Sequence, residues 1–128
     1  MIVIDASVVV RLLTDAGHDV LFERLIRGEA VAPQILGLEV LKALRNGYLR
    51  GDWTEARATE AAGDLLTLPI RRYSHDFLLP RIWQLRNNIT AYDASYVALA
   101  ELLNVPLLTR DARLARSAGH SASIEYID

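Results

Sequence analysis

Apolar positions along this chain alternate between short continuous runs and longer helical spacings. Met1-Ile2-Val3-Ile4 is a β-branched run, the pattern of a buried strand. Ser7 to Thr14 then places Val8, Val9, Leu12 and Leu13 at helical intervals. After a loop at Asp15-Ala16-Gly17-His18, Asp19 can cap a helix through Ile26 that Gly28 ends. Ala30-Val31-Ala32 before Pro33 reads as a second strand. Ile35 to Leu44 reads as a helix with Asn46-Gly47 as its stop, and Thr54 or Asp52 caps an alanine-rich helix to Leu66. Leu68 to Tyr73 is a weak strand that Pro69 assigns to an edge. His75 to Leu85 is a helix whose start Pro80 moves toward Leu79.

The clearest helix runs from Ala91 to Leu103 behind Thr90, with Tyr92, Tyr96, Leu99 and Leu103 on one stripe. Leu107-Leu108 is a strand, Ala112 to Ser117 a short helix ended by Gly119, and Ser123 to Ile127 a final strand. Strands alternating with helices predict an α/β fold with a mostly parallel sheet covered on both faces.

Composition narrows the class. At 128 residues and 52% hydrophobic, the chain can build one compact core. With no cysteine it has no disulfide or thiolate site, which fits a reducing cytoplasm. No basic segment precedes the first strand, and no apolar stretch approaches the roughly 20 residues of a membrane span, so neither a signal peptide nor a membrane anchor is expected. The net charge of −2 excludes a generally basic nucleic-acid binder, though not a local basic groove. Thirteen of the 14 basic residues are arginine, with Lys42 the single lysine. Arginine suits bidentate phosphate contacts, but a biased genome composition would give the same excess.

The chemistry concentrates in four acids: Asp5, Glu39, Asp93 and Asp111. Asp5 and Asp111 each follow a predicted strand, which places them at the carboxyl edge of the sheet, where open α/β folds build their sites. Each also has a plain structural reading. Asp5 and Asp111 can cap the helices that follow them, Thr90-x-x-Asp93 resembles a capping box, and Glu39 can pair with Lys42 three residues on. Glu39 is nevertheless embedded among Leu38, Val40 and Leu41, where an unpaired carboxylate is costly. Four such coincidences at strand and helix ends favour a shared site. Crowded carboxylates repel one another unless a hard cation neutralises them, which points to Mg²⁺ or Mn²⁺ and to phosphate chemistry. Ser7 offers a hydroxyl near Asp5. Arg11, Arg86, Arg110, Arg113 and Arg116 are the candidate phosphate contacts, while Glu101 reads as solvent-exposed and outside the site. His18, His75 and His120 share no ligand spacing and read as surface residues, and Trp53 and Trp83 as packing residues.

Ile4-Asp5-Ala6-Ser7, Glu39, the segment Thr90-Ala91-Tyr92-Asp93-Ala94-Ser95-Tyr96-Val97-Ala98-Leu99-Ala100-Glu101 and Leu108-Thr109-Arg110-Asp111 resemble a PIN-domain ribonuclease. The compact size and the Tyr-Asp-Ala-x-Tyr-x-x-Leu-Ala segment are similar to VapC-type toxins of bacterial toxin–antitoxin pairs. The resemblance spans residues 1–128 as a single PIN domain and is most specific around Asp93. It implies a three-layer α/β/α fold with strand order 3-2-1-4-5, and Mg²⁺ or Mn²⁺ held by Asp5, Glu39, Asp93 and Asp111. Ser7 and Thr109 match hydroxyl positions lining the same pocket. The resemblance further implies an RNA substrate, a homodimer in the cytoplasm, and a VapB-type antitoxin whose C-terminal arm enters the active-site groove. Lys42 departs from the small or polar residue common at its position.

Two rival readings remain at this stage. A phosphoaspartyl protein would also place an Asp after the first strand, but it needs a lysine near the phosphate, and Lys42 lies within a helix beside Glu39. A non-catalytic scaffold could keep the fold and bind RNA or a partner without turnover.

Overall fold

A computed structural model describes residues 1–15 and 19–128. Five strands, β1 (Ile2–Ile4), β2 (Ala30–Pro33), β3 (Arg71–Tyr73), β4 (Leu107–Thr109) and β5 (Ile124–Tyr126), form one sheet. Their order is β3-β2-β1-β4-β5, and every neighbouring pair is parallel. Val3 lies opposite Val31 on one side and Leu107 on the other, so β1 is central. The three inner strands are buried along their length, which explains why they read as unbroken apolar runs. β3 exposes Arg71 and Arg72 at an edge, as Pro69 led one to expect.

Among the described residues, seven helices flank the sheet: α1 (Ala6–Thr14), α2 (Asp19–Ile26), α3 (Leu36–Arg50), α4 (Glu55–Leu65), α5 (Leu79–Gln84), α6 (Ala91–Leu103) and α7 (Ala112–Ala115). Helices α1, α3 and α4 pack on one another, while α5 packs on α6 and α6 lies against β1, β2 and β4. Ala94 to Ala100 are all buried, so α6 is the most enclosed helix. Its small residues Ala94, Ala98 and Ala100 permit that close approach to the sheet. Among the described residues, no helix is long and apolar enough to cross a membrane.

Several boundaries differ from the sequence expectation for identifiable reasons. Helix α3 runs through Asn46-Gly47 and ends at Gly51, which adopts φ +86° and receives the last turn. Gly47 serves packing instead: a Cβ there would collide with the Trp53 ring. Thr54, not Asp52, caps α4 by accepting from the Arg57 amide at 3.1 Å, and Asp52 pairs with Arg50. A 3-10 turn at Asp76–Leu78 precedes α5, which begins at Leu79 with Pro80 in its first turn. Helix α7 stops at Ala115, two residues short of the expected end. Trp83 does not pack inside the fold; it is 67% exposed and stacks with the Arg86 guanidinium 4.4 Å from its ring centre. Tyr92, expected on the apolar stripe of α6, is exposed.

Candidate active site at the carboxyl edge of the sheet

Because β1 and β4 are neighbours, the residues that follow them meet. Asp5 leaves β1 in extended conformation and caps α1, accepting from the Val8 amide at 3.2 Å. The plain capping reading is therefore true, and it accounts for part of only one carboxylate oxygen. Oδ1 also accepts from the Ser7 hydroxyl at 2.6 Å, and Oδ2 accepts from the Thr109 hydroxyl at 2.5 Å. Each hydroxyl in turn accepts a backbone amide from the turn after β4, Arg110 N–H onto Ser7 at 2.9 Å and Asp111 N–H onto Thr109 at 2.9 Å. The result is a double stitch between the ends of the two strands, with Asp5 and Thr109 both buried.

Asp111 caps α7 through the amides of Arg113 and Leu114. Thr90 caps α6 by accepting from the Asp93 amide at 3.2 Å, which places Asp93 in the first turn. Glu39 occupies the first turn of α3 and accepts from the Tyr96 hydroxyl at 2.5 Å. Tyr96 is 1% exposed and lies one turn beyond Asp93, so it ties α3 to the helix carrying the third acid. By its helical spacing alone Tyr96 is a packing residue. The available clue was a phenol in a helix of small apolar residues, since a buried hydroxyl needs a partner.

The acids feel one another. Burial raises the Asp5 carboxyl above its ordinary range, against the Ser7, Thr109 and Val8 hydrogen bonds, and the charge of Asp111 adds to the rise. Burial also raises Glu39, where the Tyr96 hydroxyl opposes it and the charges of Asp93 and Asp5 reinforce it. Asp93 is raised first by burial, then by Asp111 and Asp5, with Arg113 opposing. Lys42 is exposed and acts on Glu39 only as a weak attraction. Three carboxyls held above their normal range by burial and mutual repulsion form a site that favours a cation.

The donor set is entirely oxygen, which suits Mg²⁺ or Mn²⁺. Among the described residues, however, no three or more acidic, histidine or cysteine side chains form a ready coordination group. A cation here would be held by fewer than three of these side chains as they stand, with water completing its shell.

The arginines are distributed unevenly. Arg110 is exposed on the turn between Thr109 and Asp111, and Arg113 and Arg116 are exposed around α7. Arg86 stands on the loop before α6 and donates to the Trp83 carbonyl at 2.9 Å. Arg11 lies in the last turn of α1 and pairs with Asp15 at 3.7 Å. Glu101 is not the solvated residue expected; Arg81 grips it through two hydrogen bonds, though it stays apart from the four acids. His75 is partly buried, as is His120, whose Nε2 lies 2.9 Å from the Ser117 hydroxyl. His18 falls outside the described residues.

Comparison with known proteins identifies relatives of the chain and of its fold. The PIN domain family model matches residues 2–119. Ribonuclease VapC12 of Mycobacterium tuberculosis H37Rv is 41% identical over 128 residues, covering 99% of this chain and 99% of that protein. The crystal structure of PAE2754 from Pyrobaculum aerophilum superposes with a TM-score of 0.72 at 25% identity, over 96% of this chain and 81% of that one. VapBC2 from Rickettsia felis, solved bound to a promoter DNA fragment, shares the fold with a TM-score of 0.69 at 12% identity, over the full length of both chains.

Proposed function

Because the chain belongs to the PIN-domain family and to its VapC-type ribonucleases, we propose that it is a Mg²⁺- or Mn²⁺-dependent endoribonuclease, the toxin of a toxin–antitoxin pair. The observation that carries this reading is the approach of Glu39 on α3 and Asp93 on α6 to Asp5 and Asp111 after β1 and β4, with three of the four carboxyls raised by burial and by one another's charge. Asp5 and Asp93 are the primary metal ligands, with Asp111 as a ligand or orienting group. Glu39, aimed by Tyr96, is a ligand or aligns the attacking water. When bound, the metal lowers the pKa of that water and stabilises charge on the phosphate. Ser7 and Thr109 fix both oxygens of Asp5, so its direction is set before substrate arrives. Arg110, exposed beside the acids, is placed for backbone phosphate, with Arg86 and Arg11 as outer contacts.

A non-catalytic scaffold is not favoured, because it has no need to maintain mutually opposed, partly buried carboxylates. A VapB-type antitoxin as partner, a homodimer and a cytoplasmic setting complete the reading. The deciding experiment is RNA cleavage by purified protein with Mn²⁺ and with EDTA. Cleavage should require the ion and disappear in Asp5→Asn and Asp93→Asn. Undiminished Mn²⁺-dependent cleavage by both variants, with contaminating nuclease excluded, would defeat the assignment.

A further inference from the structure

Beside Asp93 lies a hollow of about 530 Å³, between the loop preceding α6 and helix α7 with the turn that follows it. Its size falls within the roughly 300–1,000 Å³ of small-ligand sites. Arg86, Asn87, Asn88, Arg113 and Arg116 line it together with Asp93, so three cations and two amides face a single acid. This polarity is opposite to that of the acid edge it adjoins. Neither Arg113 nor Arg116 joins any ion pair formed among the described residues. Three exposed guanidinium groups around one acid, which Arg113 already attracts, give the hollow a net positive lining that suits an anionic ligand.

One of the lining side chains is held in place. The Arg86 guanidinium is fixed by its stack on Trp83 and its bond to the Trp83 carbonyl, which presents a flat cationic face to one side. Asn88 lies directly over Gly119, where a Cβ would come within 2.7 Å of the amide oxygen; Gly119 has φ +90° and no such atom. An amide beside a fixed planar cation can read the edge of an unstacked base, which is how single-stranded RNA is recognised.

We propose that this hollow is a nucleotide subsite that selects where the RNA is cut. The nucleotide adjoining the scissile phosphate enters it, Arg113 and Arg116 take a phosphate, and Asn87 and Asn88 read the base. The proposal rests on the nuclease reading above, and its test separates the two.

The full chain is mixed with fluorescent single-stranded RNA hexamers that differ at one position, and binding is measured in Ca²⁺ with the RNA recovered intact. Cleavage of the same hexamers is followed in Mn²⁺. The wild type should discriminate among the four bases, and Asn87→Ala with Asn88→Ala should flatten that preference by about tenfold. Asn88→Asp keeps the side-chain shape against Gly119 but exchanges a donor for an acceptor, so it should change which base is preferred. Arg116→Ala should weaken every hexamer alike and reduce the salt dependence. An unchanged ranking of bases in Asn88→Asp overturns the subsite even if cleavage is active. Base-selective binding lost in the asparagine variants, with no Mn²⁺-dependent cleavage by the wild type, supports the subsite and sinks the nuclease reading. Failure of the wild type to bind any hexamer, with Mn²⁺-dependent RNA cleavage intact, overturns the subsite and leaves the nuclease reading standing.

Discussion

Asp93 and Glu101 stand two turns apart on α6 and sit in opposite electrostatic surroundings. Glu101 receives two hydrogen bonds from Arg81, at 2.8 and 2.9 Å, and two more from the amide and hydroxyl of Ser121. These hold its carboxyl down at about 2, led by the Arg81 hydrogen bonds. Asp93, by contrast, is raised by burial and by the charges of Asp111 and Asp5. One acid clips α5, α6 and the approach to β5 together, while the other is kept where it is disfavoured. The difference shows how to separate structural from functional carboxylates: by whether the fold itself neutralises them.

That contrast can be broken most sharply at Asp93. Asp93→Asn should reduce RNA cleavage about a thousandfold, because metal-centred charge stabilisation is worth several kcal/mol. Its thermal stability in EDTA should hold or rise, since a repelling charge is gone. A large loss of stability there would put Asp93 in the same class as Glu101. Saturating Mg²⁺, at about 100 times its Kd, should stabilise the wild type by about 2.7 kcal/mol, and Asp5→Asn much less. Calorimetry or thermal scans with and without the ion check this.

The paired acid should behave in the reverse way. Glu101→Gln should cost about 1–2 kcal/mol of stability and leave the metal response intact, read by denaturant unfolding. The pH dependences have opposite signs. Glu101 is depressed when folded, so its contribution is full above the ordinary carboxylate range and is lost as pH falls toward 2. Asp5, Glu39 and Asp93 are raised, so their contribution is present below that range and is lost as pH rises through their folded values. Metal-free protein should therefore gain stability on mild acidification from neutral pH, and an Asp5→Asn/Asp93→Asn variant should gain less. The smallest effect is at Tyr96→Phe, which keeps the ring but releases Glu39. Cleavage should fall about tenfold with the fold intact by circular dichroism.

Much of the plan was legible because it follows from local rules. An acid directly after an apolar strand must sit at the sheet edge, so Asp5 and Asp111 could be placed without coordinates. Parallel β1 and β4 then make them neighbours. Glu39 stood out because an acid among leucines and valines demands an explanation. What escaped depends on contacts between distant segments. Gly47 reads as a helix stop until Trp53 is seen resting on it. Glu101 reads as solvated until Arg81 and Ser121 arrive from elsewhere in the chain. Tyr96 follows helical periodicity whether or not its hydroxyl reaches Glu39. Trp83 was misplaced because its exposure is set by the short α5, whose first turn contains Pro80.

The stitch at Asp5 has a consequence for how its charge can be cancelled. The hydroxyls of Ser7 and Thr109 each receive an amide hydrogen on one side, so their own hydrogens are directed at the carboxylate. Oδ1 already accepts two hydrogens, from Ser7 and Val8, whereas Oδ2 accepts one, from Thr109, and keeps a lone pair open. Low solvent access argues for a neutral acid, yet the wiring is laid out for an anion. A cation set against that open lone pair would cancel the charge and leave all three bonds in place.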